Sequence, residues 1–157
     1  MVKIAFVCHG NICRSPMAEF VFKNMINNGG VGNNFSVASF ATSDEEIWQG
    51  VGNPIHRGTL EIFQKYSIPY DKNKRAAQLT RDDYRKYDLF IGMDFANIRS
   101  MHRIFTSDPE EKIKLLLDYA QEHREVADPW YTGNFERTYQ DILAGCRCLL
   151  STLGKEK

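Results

Sequence analysis

The chain has 157 residues, 43% of them hydrophobic and 25% charged, with 20 basic and 20 acidic side chains that cancel. A length in the usual range of single domains, with hydrophobic and charged fractions near globular averages, excludes a disordered chain and predicts one domain able to bury its own core. Zero net charge provides no broad field for steering nucleic acid or an anionic membrane, so any anion must be met by positive potential concentrated in one pocket.

The first apolar run, residues 4–7, falls short of the roughly 7–15 apolar residues of a secretory signal. No stretch approaches the roughly 20 of a membrane span. These features predict a soluble, cytoplasmic protein. Residues 2–7 read as a short buried strand running into a glycine-containing loop. From Pro16 the period changes, and Ala18, Val21, Phe22, Met25 and Ile26 follow helical spacing. Ser15 is the expected N-cap, Pro16 the expected first helical residue, and Gly29-Gly30 the end. Residues 35–40 read as a second strand, and Ile55, Thr59, Ile62, Phe63 and Tyr66 trace the next helical face. Residues 89–91 form a third expected strand, followed by a helix carrying Phe95, Ile98, Met101 and Phe105. The run 113–117 fits either type by periodicity, and the loop chemistry near Asp128-Pro129 favours a fourth strand. A last helix holds Phe135, Tyr139, Ile142, Leu143, Cys146, Leu149, Leu150 and Leu153 on one stripe.

Strands alternating with helices predict an α/β fold: a three-layer domain, residues 1–157, with a parallel sheet and helices on both faces. Such sheets bind ligands beyond the carboxyl ends of their strands. The loop after the first strand is therefore the first place to look for chemistry.

That loop reads Cys8-His9-Gly10-Asn11-Ile12-Cys13-Arg14-Ser15. A short loop entering a helix start turns successive backbone N–H groups inward, and the helix dipole adds positive potential. Gly10 and Asn11 are the residues most able to take unusual dihedrals. Arg14 offers a planar fork that grips two phosphate oxygens. The same surroundings favour the thiolate of Cys8, the form that attacks phosphorus. Ser15 can donate a hydrogen bond to that sulfur. A cysteine ending a buried strand is ordinarily a packing residue, but Cys, Arg and Ser in this order are hard to assign to packing. Cys146 and Cys148, at C-x-C spacing in the last helix, read as structural. Neither C-x-C nor C-x4-C matches a usual zinc pattern, and no metal is expected.

The string Val7-Cys8-His9-Gly10-Asn11-Ile12-Cys13-Arg14-Ser15-Pro16 resembles the signature of low-molecular-weight protein tyrosine phosphatases, and the similarity extends into the C-terminal quarter. The resemblance implies a four-stranded parallel sheet of order 2-1-3-4 and catalysis without metal or cofactor. It implies Cys8 as nucleophile and Arg14 as phosphate clamp, with His9 shaping the rim of the loop.

Such chemistry needs an acid to protonate the departing phenolate and then to deprotonate water. Asp128-Pro129-Trp130-Tyr131 supplies the candidate, since Pro129 biases Asp128 toward an extended conformation. The family's late D-P-aromatic motif implies the same role for Asp128. Trp130 and Tyr131 fit one wall of a slot for an aromatic ring, and Trp48 is a candidate for the other, with capping of the core as its alternative. By resemblance, Ser39 falls where a serine supports the loop asparagine, while Lys74 stands where better-known members have a histidine. Asp94 matches an aspartate that positions the arginine, and it also reads as a plain helix N-cap.

Together these readings predict hydrolysis of aryl phosphate monoesters, from a phosphotyrosine protein or a small aryl phosphate, by a monomer. Arsenate reductase, a rival on the same fold, relays a disulfide through further cysteines, and residues 80–93 contain none. Two alternatives remain. Protein arginine phosphatases tend to have threonine where Ile12 stands, and bulky Ile12 favours an aryl group. A non-catalytic phosphate-binding, flavodoxin-like module would have no use for Asp128. The tight loop also suggests a reversible Cys8–Cys13 disulfide under oxidation.

Overall fold

The computed structural model describes residues 1–155. Four parallel strands form the sheet: β1 (Val2–Cys8), β2 (Phe35–Ala41), β5 (Leu89–Gly92) and β6 (Ile113–Leu115), in the order β2-β1-β5-β6. Counting these four alone, the order is the expected 2-1-3-4. β1 lies inside the sheet, paired with β2 from Val2–Phe35 to Cys8–Ala41 and with β5 from Ile4–Leu89 to Val7–Gly92.

The period-2 alternation of β1 assigns its side chains to two cores. Ile4, Phe6 and Cys8 belong to the larger one, with residues of α1 (Arg14–Asn28), α2 (Arg57–Lys65) and α5 (Phe135–Lys155). Ala5 and Val7 belong to the other, with Phe90 and with Met101 and Phe105 of α3 (Phe95–Phe105). Helices therefore cover both faces. The predicted stripes are the buried ones: Ile62 and Phe63 in α2, and Tyr139, Ile142, Cys146, Leu149 and Leu153 in α5.

Three details differ from expectation. Helix α1 begins at Arg14 with Cys13 as N-cap, so Ser15 is its second residue and not its cap. The Ser15 hydroxyl is engaged with Cys8 instead. Pro16 still sits in the first turn, where a missing N–H costs nothing. The fourth strand stops at Leu115, and residues 116–120 form a 3-10 turn. Leu116 and Leu117 are both fully buried, whereas an alternating strand would send one of two neighbours outward. Finally, the stretch after β2 contains an unforeseen hairpin, β3 (Ile47–Trp48) and β4 (Val51–Gly52). Its turn places Gln49 and Gly50 both at positive φ, 50° and 79°, the backbone of a two-residue type I′ loop. Gln49 is a weak signal for that turn, where asparagine or aspartate is usual. A short helix, α4 (Pro129–Thr132), precedes α5.

Gly145 shows how closely α5 approaches the 3-10 turn, since a Cβ there would lie 2.5 Å from Leu116 Cγ. Helix propensity alone favours Gly145→Ala by about 1 kcal/mol, while overpacking a tight core costs about 1–3 kcal/mol. We expect the clash to prevail, with Gly145→Ala less stable by about 1 kcal/mol in urea denaturation. A more stable variant would mean that Leu116 yields without strain.

Candidate active site

The loop between β1 and α1 folds around its own sulfur. Asn11 and Ser15 direct backbone N–H groups at Cys8 Sγ, at 3.3 and 3.4 Å, and Ser15 Oγ lies 3.0 Å from it. Asn11 sets this curvature with φ of 59°, a left-handed conformation that asparagine tolerates better than most residues. Gly10 serves by its size, since a Cβ there would come within 3.1 Å of Glu46 Cγ.

The Asn11 side chain fixes the direction of its own four hydrogen bonds. Its Oδ1 accepts from Lys74 Nζ at 2.9 Å and from the Ala77 N–H at 3.0 Å. Its amide therefore donates to Ser15 Oγ at 2.8 Å and to Ser39 Oγ at 3.0 Å. Ser39, having accepted, donates to Glu19 Oε1 at 2.6 Å, and Glu19 is paired with Lys23. Ser15, having accepted, keeps its proton for Cys8 Sγ at 3.0 Å or the more distant Phe40 carbonyl at 3.4 Å. Two backbone N–H donors and the Ser15 hydroxyl thus converge on the sulfur. Burial holds the half-buried Lys74 ammonium below its ordinary range, although Glu19 pulls the other way.

Arg14, 4% exposed, closes the ring. Its guanidinium donates to Asp94 Oδ2 at 2.8 Å and to the Val126 carbonyl at 3.2 Å, and lies 3.4 Å from Asp128 Oδ2. Burial works against its charge, but the negative charges of Cys8, Asp94 and Asp128 prevail and hold it above its usual value. Asp94 is both things the sequence suggested. Oδ1 caps α3 through the Asn97 N–H at 2.7 Å, and Oδ2 holds Arg14. Asp128 is extended, as a residue before proline should be, and its Oδ1 accepts from the Trp130 N–H at 3.0 Å.

These groups line a cavity of about 530 Å³. Cys8, His9, Gly10, Asn11, Ile12, Cys13 and Arg14 contribute from the loop, Asp94 and Asn97 from the α3 side, and Asp128, Trp130 and Tyr131 from the far side. Trp48 does neither thing proposed for it. It is 77% exposed on the hairpin and absent from the lining. The wall on that side is made instead by Glu45 and Glu46, which were not singled out from the sequence. His9 pairs with Glu45 at 2.9 Å, and Asn53 holds Glu46 at 2.8 Å. Asn97, also missed, completes the α3 capping box, its Oδ1 accepting from the Met93 and Asp94 N–H groups; the sequence trace is Asp94 followed three residues later by Asn97.

Cys13 is buried, and that burial, reinforced by Cys8 and Asp128, pushes its thiol up to about 12. It is protonated at neutral pH, so a disulfide with Cys8 would have to form from the neutral thiol. A thiol raised in the folded state favours folding below its unfolded value of 9.0, and that contribution is lost as pH rises through about 12. We expect iodoacetamide at pH 8 to leave Cys13 unmodified in the native protein and to modify it after unfolding, as read by peptide mass mapping. In Cys13→Ala, the fall of stability above pH 9 should be shallower than in the wild type.

The model of the family described as low molecular weight phosphotyrosine protein phosphatase matches residues 3–157. The low molecular weight protein-tyrosine-phosphatase YfkJ of Bacillus subtilis is 39% identical over 159 residues, covering 100% of this chain and 99% of its own. The crystal structure of YfkJ superposes with a TM-score of 0.92 at 38% identity, covering 100% of this chain and 97% of its own. That of SP-PTP, a low molecular weight protein tyrosine phosphatase from Streptococcus pyogenes, gives a TM-score of 0.86 at 42% identity, covering 98% and 93%.

Proposed function

The chain belongs to the low molecular weight phosphotyrosine protein phosphatase family, and from that premise we propose how its residues divide the hydrolysis of an aryl phosphate among them. The phosphate enters over Cys8, its oxygens facing the loop N–H groups and the Arg14 fork. Cys8 Sγ attacks phosphorus, and the bond from phosphorus to the aryl oxygen breaks. Asp128, in its acid form, passes a proton to the departing oxygen, releasing the phenol and leaving a cysteinyl phosphate. The Asp128 carboxylate then takes a proton from water as that water attacks phosphorus. The sulfur–phosphorus bond breaks, and Ser15 donates a hydrogen bond to the thiolate as it leaves. Proton, nucleophile and leaving group are thus all handled by side chains of this chain.

One observation carries the reading: the Cys8 sulfur sits under two backbone N–H donors and beside the Ser15 hydroxyl, in the same cavity as the Arg14 guanidinium and the Asp128 carboxyl. The occupancy of the two aspartates supports dividing their roles. Both oxygens of Asp94 accept short hydrogen bonds, while among the described residues Asp128 Oδ2 has only the 3.4 Å contact with Arg14. Asp128 is therefore the carboxyl with an oxygen available for proton transfer. Trp130 and Tyr131, 67% and 90% exposed at the cavity, suit the flank of a phosphotyrosine ring. Ile12, buried and lining the cavity, offers apolar contact to that ring and no polar partner to a guanidinium. A monomer acting in the cytoplasm on phosphotyrosine proteins or small aryl phosphates fits these features. Among the described residues, no helix is long and apolar enough to cross a membrane.

The test is phosphate release from matched phosphotyrosine and phosphoarginine peptides. We expect a strong preference for phosphotyrosine, with release falling to background in Cys8→Ser. Asp128→Ala should lower kcat/KM on phosphotyrosine by about 10²–10⁴-fold, the usual weight of general acid catalysis. A preference for phosphoarginine would keep the mechanism and overturn the reading of Ile12.

A further inference from the structure

The segment carrying Asp128 is fastened to α5 by two side chains that lie outside the cavity. Ala127, the residue just before Asp128, has both of its backbone polar groups taken by α5. Its N–H donates to Asp141 Oδ2 at 2.9 Å, and its carbonyl accepts from Thr138 Oγ1 at 2.7 Å. We propose that Thr138 and Asp141 are positioning residues that set where Asp128 stands over the loop, an inference that rests on reading Asp128 as the general acid.

Their placement is unusual for an amphipathic helix. Thr138 is fully buried and Asp141 8% exposed, among the apolar residues Tyr139, Ile142 and Cys146. They lie three residues apart, on one face of α5. A helical threonine ordinarily returns its hydroxyl to the carbonyl four residues back. Here that carbonyl, on Asn134, is 3.4 Å away, and the shorter bond reaches across to Ala127. Asp141 spends its second oxygen on Arg124 Nη2 at 3.0 Å, holding the start of the same segment.

The neighbouring residue is held from the other side. The Val126 N–H donates to the Met93 carbonyl at 2.9 Å, and the Val126 carbonyl accepts from Arg14 Nη1 at 3.2 Å. Val126 is thus tied to the residue that follows β5 and to the phosphate clamp, and Ala127 to α5. Asp128 is the first residue beyond both clamps, and Pro129 restricts the backbone that follows. Loosening Ala127 removes one of the two anchors that fix Asp128 relative to Arg14. A displacement of about 1 Å in a catalytic group can cost as much as 10²-fold in rate.

A general acid matters in proportion to how poorly the leaving group departs unaided. The experiment therefore compares kcat/KM for phenyl phosphate, whose phenolate needs a proton, with that for a difluorinated methylumbelliferyl phosphate, whose acidic phenol departs without one. In Thr138→Val and Asp141→Ala we expect a loss of about 10-fold on phenyl phosphate and less than about 2-fold on the activated ester, with Thr138→Ser near wild type on both. Because both substrates meet the same population of folded enzyme, the ratio is insensitive to a variant that is only partly folded. Asp128→Ala is the reference and should show the steepest dependence on the leaving group. Equal losses on the two substrates, or no loss, in Thr138→Val and Asp141→Ala beside a steep Asp128→Ala would overturn the positioning role alone. A flat response in Asp128→Ala itself would overturn the assignment of the acid and the inference built on it.

Discussion

The Asn11 side chain has four hydrogen-bonding positions, and all four are taken: two donors arrive at its carbonyl oxygen and two donations leave its amide. Its partners come from the first turn of α1, from β2, and from the 74–77 segment. One amide therefore locks three separate stretches of chain to the loop. It does so from a left-handed backbone, φ 59°, which costs energy for a residue with a side chain. That cost is met because the conformation is over-determined by its surroundings. Without the network, the N–H groups of Asn11 and Ser15 would have no reason to point at one sulfur. The curvature of the loop is thus a property of its support.

Arg14 raises the complementary problem, a guanidinium 4% exposed in a chain whose charges cancel. An isolated buried cation is costly, and removing a partner from a buried pair is costlier still. The structure answers with Asp94 at 2.8 Å, a backbone carbonyl, and Asp128 at 3.4 Å. On the proposed mechanism, a phosphate would add negative charge where the loosest of these partners stands. Asp94 can keep the fork oriented throughout, since it also caps α3 and cannot swing away without uncapping it. Positive charge is concentrated at one point, Arg14, as zero net charge requires, and Glu45 and Glu46 on the facing wall leave it local.

Much of this was legible in the chain because periodicity and loop chemistry are local signals. The buried strand β1 and the stripes of α2 and α5 follow from spacing and residue type, and of Gly10 and Asn11, the two residues expected to take unusual dihedrals, Asn11 alone has a positive φ. The signature from Cys8 to Ser15 adds an order of residues that packing alone does not ask for. What stayed hidden depends on partners distant in sequence. Ser15 reads as an N-cap until Cys8 claims its hydroxyl. Leu116 and Leu117 read as strand until α5, with Gly145, lets both sink into the core. Trp48 reads as a cleft aromatic because nothing in its neighbourhood announces the Gln49-Gly50 turn that carries it outward. Glu45 and Glu46 look like solvated acids until the loop lies beneath them.

The same distinction explains how residues 8 and 128 come to share one pocket. Parallel topology delivers Cys8 and, through β5, Met93 and Asp94 to one edge of the sheet without further help, since both strands end there. Asp128 has no strand of its own at that edge. It arrives on an irregular segment, and irregular backbone keeps a position only if its polar groups are satisfied from outside. Met93 and Arg14 do this at Val126, and Thr138 and Asp141 at Ala127. Helix α5 is able to do so because it is itself fixed. Its apolar stripe packs in the larger core, and Phe135 at its start stacks on His56, the N-cap of α2, at 5.2 Å between ring centroids. The ring of Phe135 fills the space where a side chain at Gly58 would stand. The chain of dependence runs from helix packing, to two buried polar side chains, to a loop carbonyl and amide, to one carboxyl. On the proposed mechanism, pre-organising the Asp128 carboxyl in this way spares the reaction the cost of ordering it at the moment of proton transfer.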